Sequence, residues 1–169
     1  MTPYPPVFQA NTAALASALG EYLSANSGLL ATAESCTGGG IATAVTDIAG
    51  SSGWFERGFV TYSNLAKSDM LGVLPATLAQ FGAVSEEVAR AMALGALAHS
   101  TATISVAVTG VAGPGGGSAE KPVGMVCFGW AGAGGEVLTV TRNFSGDRDS
   151  VRRQAVICAL QGVLERLER

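Results

Sequence analysis

Two short runs constrain this chain more than any other feature: GLLATAES (28–35) and ATISVAVTG (102–110). Both are rich in small, apolar or β-branched residues, and both read as buried strands of the kind covered on two faces. Between and around them the apolar spacing is helical. FQANTAALASALGEYLSAN (8–26) predicts a first helix, and GGIATAVTDIAG (39–50) predicts a second that ends on Gly50 as a glycine cap. SEEVARAMALGALAHS (85–100) predicts a third, capped by Ser85 with Glu86 and Glu87 in its first turn, where the dipole favours acids.

WFERGFVTYS (54–63) reads as a further strand, followed by a polar turn and a short helix to Leu71. VGMVCFGWAG (123–132) and EVLTVTRNFS (136–145) predict a hairpin about Gly134 and Gly135. From Asp147 onward, Val151, Ala155, Ala159, Leu160 and Val163 mark one face of a last helix. Strands alternating with helices, plus one late hairpin, predict an α/β domain: a mixed sheet sandwiched between helices. No fixed repeat and no linker divides the 169 residues, so a single domain over 1–169 is expected.

Composition removes several functions. Apolar residues make up 48% and charged residues 14%, a globular balance, and the net charge of -3 is not the basic footprint of a nucleic-acid binder. There is no apolar run of about 18 residues to span a membrane. The opening MTPYPPVFQAN lacks the pattern of a secretory signal, and a cytoplasmic location is expected. Three scattered cysteines (Cys36, Cys127, Cys158) form neither a disulfide framework nor a zinc pair. With His99 as the one histidine, at the end of a helical pattern, neither a metal centre nor a Ser-His-Asp triad is expected.

Chemistry is concentrated in three stretches. In ESCTGGG (34–40) a strand runs into glycines and then a helix, so free N–H groups and the helix dipole could hold an anion. Ser35 and Thr37 would then stand at the carboxyl end of a strand, the usual ligand edge of such a sheet. The same glycines serve equally as a plain tight turn. In TYSNLAKSD (61–69), Lys67 is one of two lysines against eight arginines. A buried lysine loses basicity and can serve as the base for a serine that has no histidine; an exposed one is only a solvated helix residue. Tyr62 could donate to the same centre or stand at the rim. In TGVAGPGGGSAEKPVG (109–124), six of sixteen residues are glycine, which suits backbone wrapping of a ligand, a lid or a simple crossover. Arg148, in SGDRDSVRRQ, is either ordinary helix electrostatics or a phosphate fork.

Taken together, AESCTGG, TDIAGSSGWFERGFVTYSNLAK, AVTGVAGPGGGSAEKPVG and FSGDRDSVRRQA resemble the CinA C-terminal domain family over roughly residues 8 to 165. The resemblance implies a three-layer α/β/α sandwich with a mixed, mainly parallel sheet. It also implies hydrolysis of the carboxamide of nicotinamide mononucleotide, to nicotinic acid mononucleotide and ammonia, without a cofactor or metal. It implies Ser35 as the nucleophile, with Tyr62 and Lys67 assisting. Thr37, Gly38, Gly39, Asn64, Thr109, Gly110, Gly113, Gly117 and Arg148 are the substrate-binding residues expected on the same basis.

Larger members of the family carry a molybdopterin-binding-like domain in front, and with 169 residues that domain and its activity are not expected here. Gly40, where many members have a bulkier residue, is a local departure. The expected partner is a small-molecule nucleotide, with no nucleic acid and no membrane. Relatives associate, so a homo-oligomer is expected, with the apolar first helix as a possible symmetric contact. In this scheme Lys67 takes the Ser35 proton, and N–H groups of the 36–39 turn hold the oxyanion. Two other readings stay open at this level: a non-catalytic nucleotide-binding or regulatory module, and an amidase for another carboxamide.

Overall fold

The structure is a computed structural model that describes residues 11–168. In chain order the helices are α1 (Thr12–Ala25), α2 (Gly40–Thr46), α3 (Asn64–Leu71), α4 (Pro75–Phe81), α5 (Glu86–Ala98) and α6 (Arg148–Leu167). The strands are β1 (Leu30–Glu34), β2 (Phe55–Val60), β3 (Ile104–Gly110), β4 (Met125–Gly132) and β5 (Val137–Asn143). They form one sheet in the order β2-β1-β3-β4-β5. β1 lies parallel to both β2 and β3, while β4 is antiparallel to β3 and to β5. Only β4 therefore runs against the other strands, which is the mixed, mainly parallel sheet expected.

The two faces are filled differently. Leu30, Ile104, Val106, Val108, Phe128 and Trp130 face a core shared with α1, α2 and α6. The alternate positions Ala31, Ala33, Ala107 and Ala131 face α5 together with α3 and α4. Side chains alternate along a strand, so one face carries the bulk and the other is nearly flat. On the flat face α5 comes down onto the backbone. A Cβ on Gly129 would lie 2.5 Å from the Ala89 carbonyl oxygen, so only glycine fits there. Ser105, buried on this face, donates to the Ala93 carbonyl at 2.7 Å. Helices on both faces complete the α/β/α sandwich.

Local chemistry explains the boundaries. Ser85 Oγ accepts from the Val88 N–H at 3.2 Å and caps α5, while the Asp147 side chain accepts from the Ser150 N–H and caps α6. His99 caps the C-terminus of α5, with its Nδ1 donating to the Gly95 carbonyl at 2.8 Å.

Three sequence expectations change. The second helix stops at Thr46, and Gly50, at φ 84°, instead begins a single 3₁₀ turn over Ser51–Gly53. α4 is an added element, a helix of 7 residues with a single buried residue, Leu78, and so no apolar period along the chain. The apolar face of α1 is spent inside the chain, where Ala16, Leu19 and Leu23 join the core, so it is not the free contact face imagined for it. Residues 8–10 of that predicted helix lie outside the described residues. No helix among the described residues is long and apolar enough to cross a membrane.

Candidate active site

Strand register builds the site. Glu34 at the end of β1 is paired with Val60 of β2 and Val108 of β3, so the residues that follow these three emerge side by side at one edge. The Ser35 N–H donates to the Val108 carbonyl at 2.9 Å, which extends the ladder by one residue and pins the serine at the strand's carboxyl end. On the other side the Thr61 N–H donates to the Glu34 carbonyl at 2.8 Å. The chain after Thr61 turns into α3, capped by Ser63 Oγ accepting from the Ala66 N–H at 3.0 Å. One turn into that helix, Lys67 points back under the strand ends.

Lys67 is only 1% exposed and is among the largest fully buried side chains of the molecule. Its Nζ lies 3.0 Å from Ser35 Oγ and donates to the Thr61 carbonyl at 2.8 Å. The described ion pairs, Arg57–Glu56 and Arg153–Asp149, do not involve it. Burial without a paired carboxylate disfavours the ammonium form and pulls its pKa below the usual lysine range. A neutral amine can donate one hydrogen to Thr61 while its lone pair accepts from the serine hydroxyl. The adjacent Cys36 is the wrong nucleophile: burial, reinforced by Glu34, pushes its thiol up to about 12, so the thiolate is scarce at neutral pH.

The pair sits in a cleft of about 290 Å³. Asn64, the first residue of α3, lines it next to Tyr62. Thr109, Gly110 and Gly113 line it from the end of β3 and the loop beyond. Thr109 Oγ1 also donates to the Ala83 carbonyl at 2.8 Å, holding the α4–α5 connection as a wall of the cleft. Arg148 closes the mouth: its Nη1 donates to the Gly113 carbonyl at 2.8 Å and its Nη2 to the Tyr62 hydroxyl at 3.0 Å. Tyr62 is 61% exposed, so it stands at the rim with its hydroxyl held by Arg148, while Thr61 and Ser35 orient the lysine.

Four expected substrate-binding residues are placed elsewhere. Gly38, Gly39 and Thr37 belong to a turn in which the Gly38 and Gly39 N–H groups and the Thr37 hydroxyl are already used. Glu34, fully buried, accepts from Thr37 Oγ1 at 2.5 Å and from the N–H groups of Gly39, Ile41 and Ala42 at 3.2, 3.0 and 2.9 Å. The Gly38 N–H donates to the Ser35 carbonyl. The anion that the start of α2 was expected to bind is thus the chain's own glutamate. Gly117 is not in the cleft lining; it packs against the Pro122–Val123 backbone, where a Cβ would lie 2.8 Å from the Val123 nitrogen.

The structure also brings in residues that sequence reading missed. Ala83 and Val84 form an apolar wall, and the carbonyl of Thr61 receives the lysine. Neither carries a signal in sequence, since small apolar side chains and backbone oxygens are everywhere. A larger cavity, about 600 Å³, opens at the opposite edge of the sheet beside Tyr22, Trp130 and Arg166. The serine–lysine pair is not in its lining.

Comparison with known proteins gives the chain its relatives. The model of the CinA C-terminal domain matches residues 12–167. The chain is 59% identical over 146 residues to the nicotinamide-nucleotide amidohydrolase PncC of Enterobacter agglomerans, covering 86% of this chain and 89% of that one. It is 58% identical to the protein of the same name from Escherichia coli K12, covering 87% and 89%, and 56% identical to that of Pseudomonas putida, covering 89% and 94%. Among solved structures, the competence/damage inducible protein CihA from Agrobacterium tumefaciens superposes with a TM-score of 0.90 at 47% identity over the whole of both chains. The competence damage-inducible protein A from Klebsiella pneumoniae gives 0.91 at 39% identity, over 95% of this chain and 99% of its own. With a matching family model over nearly all described residues, and the same fold in relatives this similar, the chain belongs to the CinA C-terminal domain family.

Proposed function

We propose that this chain hydrolyses the carboxamide of nicotinamide mononucleotide, releasing ammonia and leaving nicotinic acid mononucleotide. The observation that carries the reading is the buried Lys67 amine 3.0 Å from Ser35 Oγ, at the ligand edge of the sheet. The name carried by relatives at 56–59% identity supplies the substrate class.

In this mechanism neutral Lys67 removes the Ser35 proton as Oγ attacks the carboxamide carbon. The carbonyl oxygen becomes an oxyanion. The Glu34 bonds remove Gly39 from the donors expected for it, and the N–H of Cys36, beside the nucleophile in the cleft wall, takes that role. Lys67, now protonated, returns its proton to the leaving nitrogen, and the C–N bond breaks to give an acyl-serine and ammonia. Water activated by the same amine then releases the acid and restores the serine.

Arg148 holds Tyr62 and Gly113 at the cleft mouth and is the cation for the substrate phosphate, with the exposed Gly115 and Gly116 beside it. Anchoring the phosphate there holds the amide in attack geometry. Tyr62, whose oxygen accepts from Arg148, keeps its own proton to donate to bound substrate. The apolar wall of Ala83 and Val84 suits a flat aromatic ring.

Incubation of the purified protein with nicotinamide mononucleotide is expected to release ammonia in step with nicotinic acid mononucleotide. Protection of the fold against heat by the nucleotide, with no ammonia formed, would replace the enzyme with a binding module. Release of ammonia from other carboxamides but not this one would keep the chemistry and change the substrate.

A further inference from the structure

The geometry points to Glu34 as a positioning residue for the Ser35–Lys67 pair, an inference that rests on the hydrolytic reading above. Glu34 touches neither the reacting serine oxygen nor the lysine, yet both halves of the pair hang from it.

Its carboxyl group organises the serine side. Oε2 collects Thr37 Oγ1, the Gly39 N–H and the Ile41 N–H, and Oε1 takes the Ala42 N–H. Those four donors come from the turn and first residues of α2, immediately after the nucleophile. Gly39 sits at φ 100° within that turn, a conformation open to glycine, and its N–H is held on Oε2. Its backbone organises the lysine side. The Glu34 carbonyl accepts from the Thr61 N–H, and the Thr61 carbonyl accepts from Lys67 Nζ. One residue therefore sets the turn that aims Ser35 and the strand end that aims Lys67.

A carboxylate suits this place because it only accepts. Four donors converge on two oxygens that are fully out of water, where an unmatched donor is costly. Glutamine has the same shape but carries an NH₂ on one arm. That arm must face either the Ala42 N–H or the three donors on Oε2, and two donors facing each other push the turn out of place. Such a displacement acts on the relative position of Oγ and Nζ, which is where rate is most sensitive: roughly 1 Å of misplacement can cost about 10²-fold.

The test compares the parent with Glu34→Gln and with Thr37→Val, which removes one donor while leaving Glu34 in place. Activity on nicotinamide mononucleotide is measured as kcat and KM across pH 6–10, with the folded fraction taken from thermal unfolding. A fluorophosphonate probe of serine nucleophiles gives a second readout that does not depend on the substrate. Its phosphorus is attacked by Oγ, fluoride leaves, and the hydroxyl proton passes to Lys67.

The expected result for folded Glu34→Gln is kcat lower by about 10²-fold, KM little changed, and a shifted acid limb in the pH profile, with labelling of Ser35 slowed in parallel. Thr37→Val is expected to fall between it and the parent, which keeps the test alive if Glu34→Gln does not fold. The proposal is overturned if either folded variant labels Ser35 at the parent rate, or if its loss of kcat matches its folded fraction with the pH profile unmoved. A parent that is labelled at Ser35 but releases no ammonia from the nucleotide would sink the substrate reading alone. A parent not labelled at all would overturn the positioning of a nucleophile.

Discussion

Two glycine-rich stretches look alike in sequence and do opposite things in the fold. The inner turn, residues 36–40, follows β1 and, with the first residues of α2, closes on Glu34 through the N–H groups of Gly39, Ile41 and Ala42. The outer loop, residues 113–117, follows β3 and leaves Gly113, Gly115 and Gly116 lining the cleft. Glycine allows a backbone to come close to something, but it does not say to what. In the inner turn the something is a buried side chain of the same chain, and the residue that this arrangement sets at the cleft is Ser35. In the outer loop the backbone itself faces the open cleft, tied at its start by Arg148. The inner turn is thus read as the seat of chemistry and the outer loop as the seat of binding.

The sharpest separation should come from the nucleophile. Ser35→Ala is expected to lower turnover of nicotinamide mononucleotide by on the order of 10⁴-fold or more, while the nucleotide still binds in calorimetry. Turnover close to the parent's would end the assignment of the inner turn to chemistry.

Lys67 comes next. Lys67→Met is expected to cost about 10³-fold in kcat. In the parent, the rate should rise with pH and level off above the lysine's lowered pKa, because only the neutral amine takes a proton. The same shift carries a stability consequence. The folded pKa lies below the unfolded one, so burying Lys67 is a penalty that is full at low pH. It is relieved as pH climbs from the folded pKa toward the ordinary lysine value. The Tm of the parent should therefore gain on that of Lys67→Met as the pH is raised from 7 toward 10. A constant gap across that range would argue that the amine is already normal.

Arg148 probes the outer loop. Arg148→Met removes the bonds to Gly113 and Tyr62 and, with them, the cation proposed for the phosphate. KM should rise about tenfold, near 1.4 kcal/mol, with a smaller change in kcat. A loss confined to kcat would move this arginine from binding to chemistry.

The smallest effects test the comparison directly, glycine against glycine. Gly39→Ala places a Cβ at φ 100° and should lower stability by about 1–2 kcal/mol, read as a drop in urea midpoint. Gly115→Ala meets nothing within 4 Å, and its stability should stay within about 0.5 kcal/mol of the parent, with any change falling on KM. If Gly115→Ala lost stability and left KM alone, the outer loop would be structural like the inner one.

Much of this molecule was legible from local pattern. The buried runs became β1 and β3, adjacent inner strands of the sheet, and Ser85 caps the helix it was expected to cap. These features depend on near neighbours, whose spacing is written along the chain. α4 was not legible, because a helix of seven residues with one buried side chain has no period to read. The end of α2 was misplaced because Gly50 looks the same whether it ends one helix or begins another turn. The role of Glu34 was hidden for a different reason. Its donors lie three to eight residues ahead, and they converge only once the strand end aims the carboxyl group into the turn.

What the sequence determined by itself was therefore the inventory: a sheet buried on both faces, a serine at the end of one buried strand, and few groups able to activate it. What only the tertiary structure decided was which of those groups meet. Ser35 and Lys67 are 32 residues apart along the chain, and their 3.0 Å separation exists because β1 and β2 pair in one register and α3 folds back under their ends. Likewise, the same packing that brings Lys67 to Ser35 withdraws it from water, and burial rather than any local motif is what makes a lysine a base.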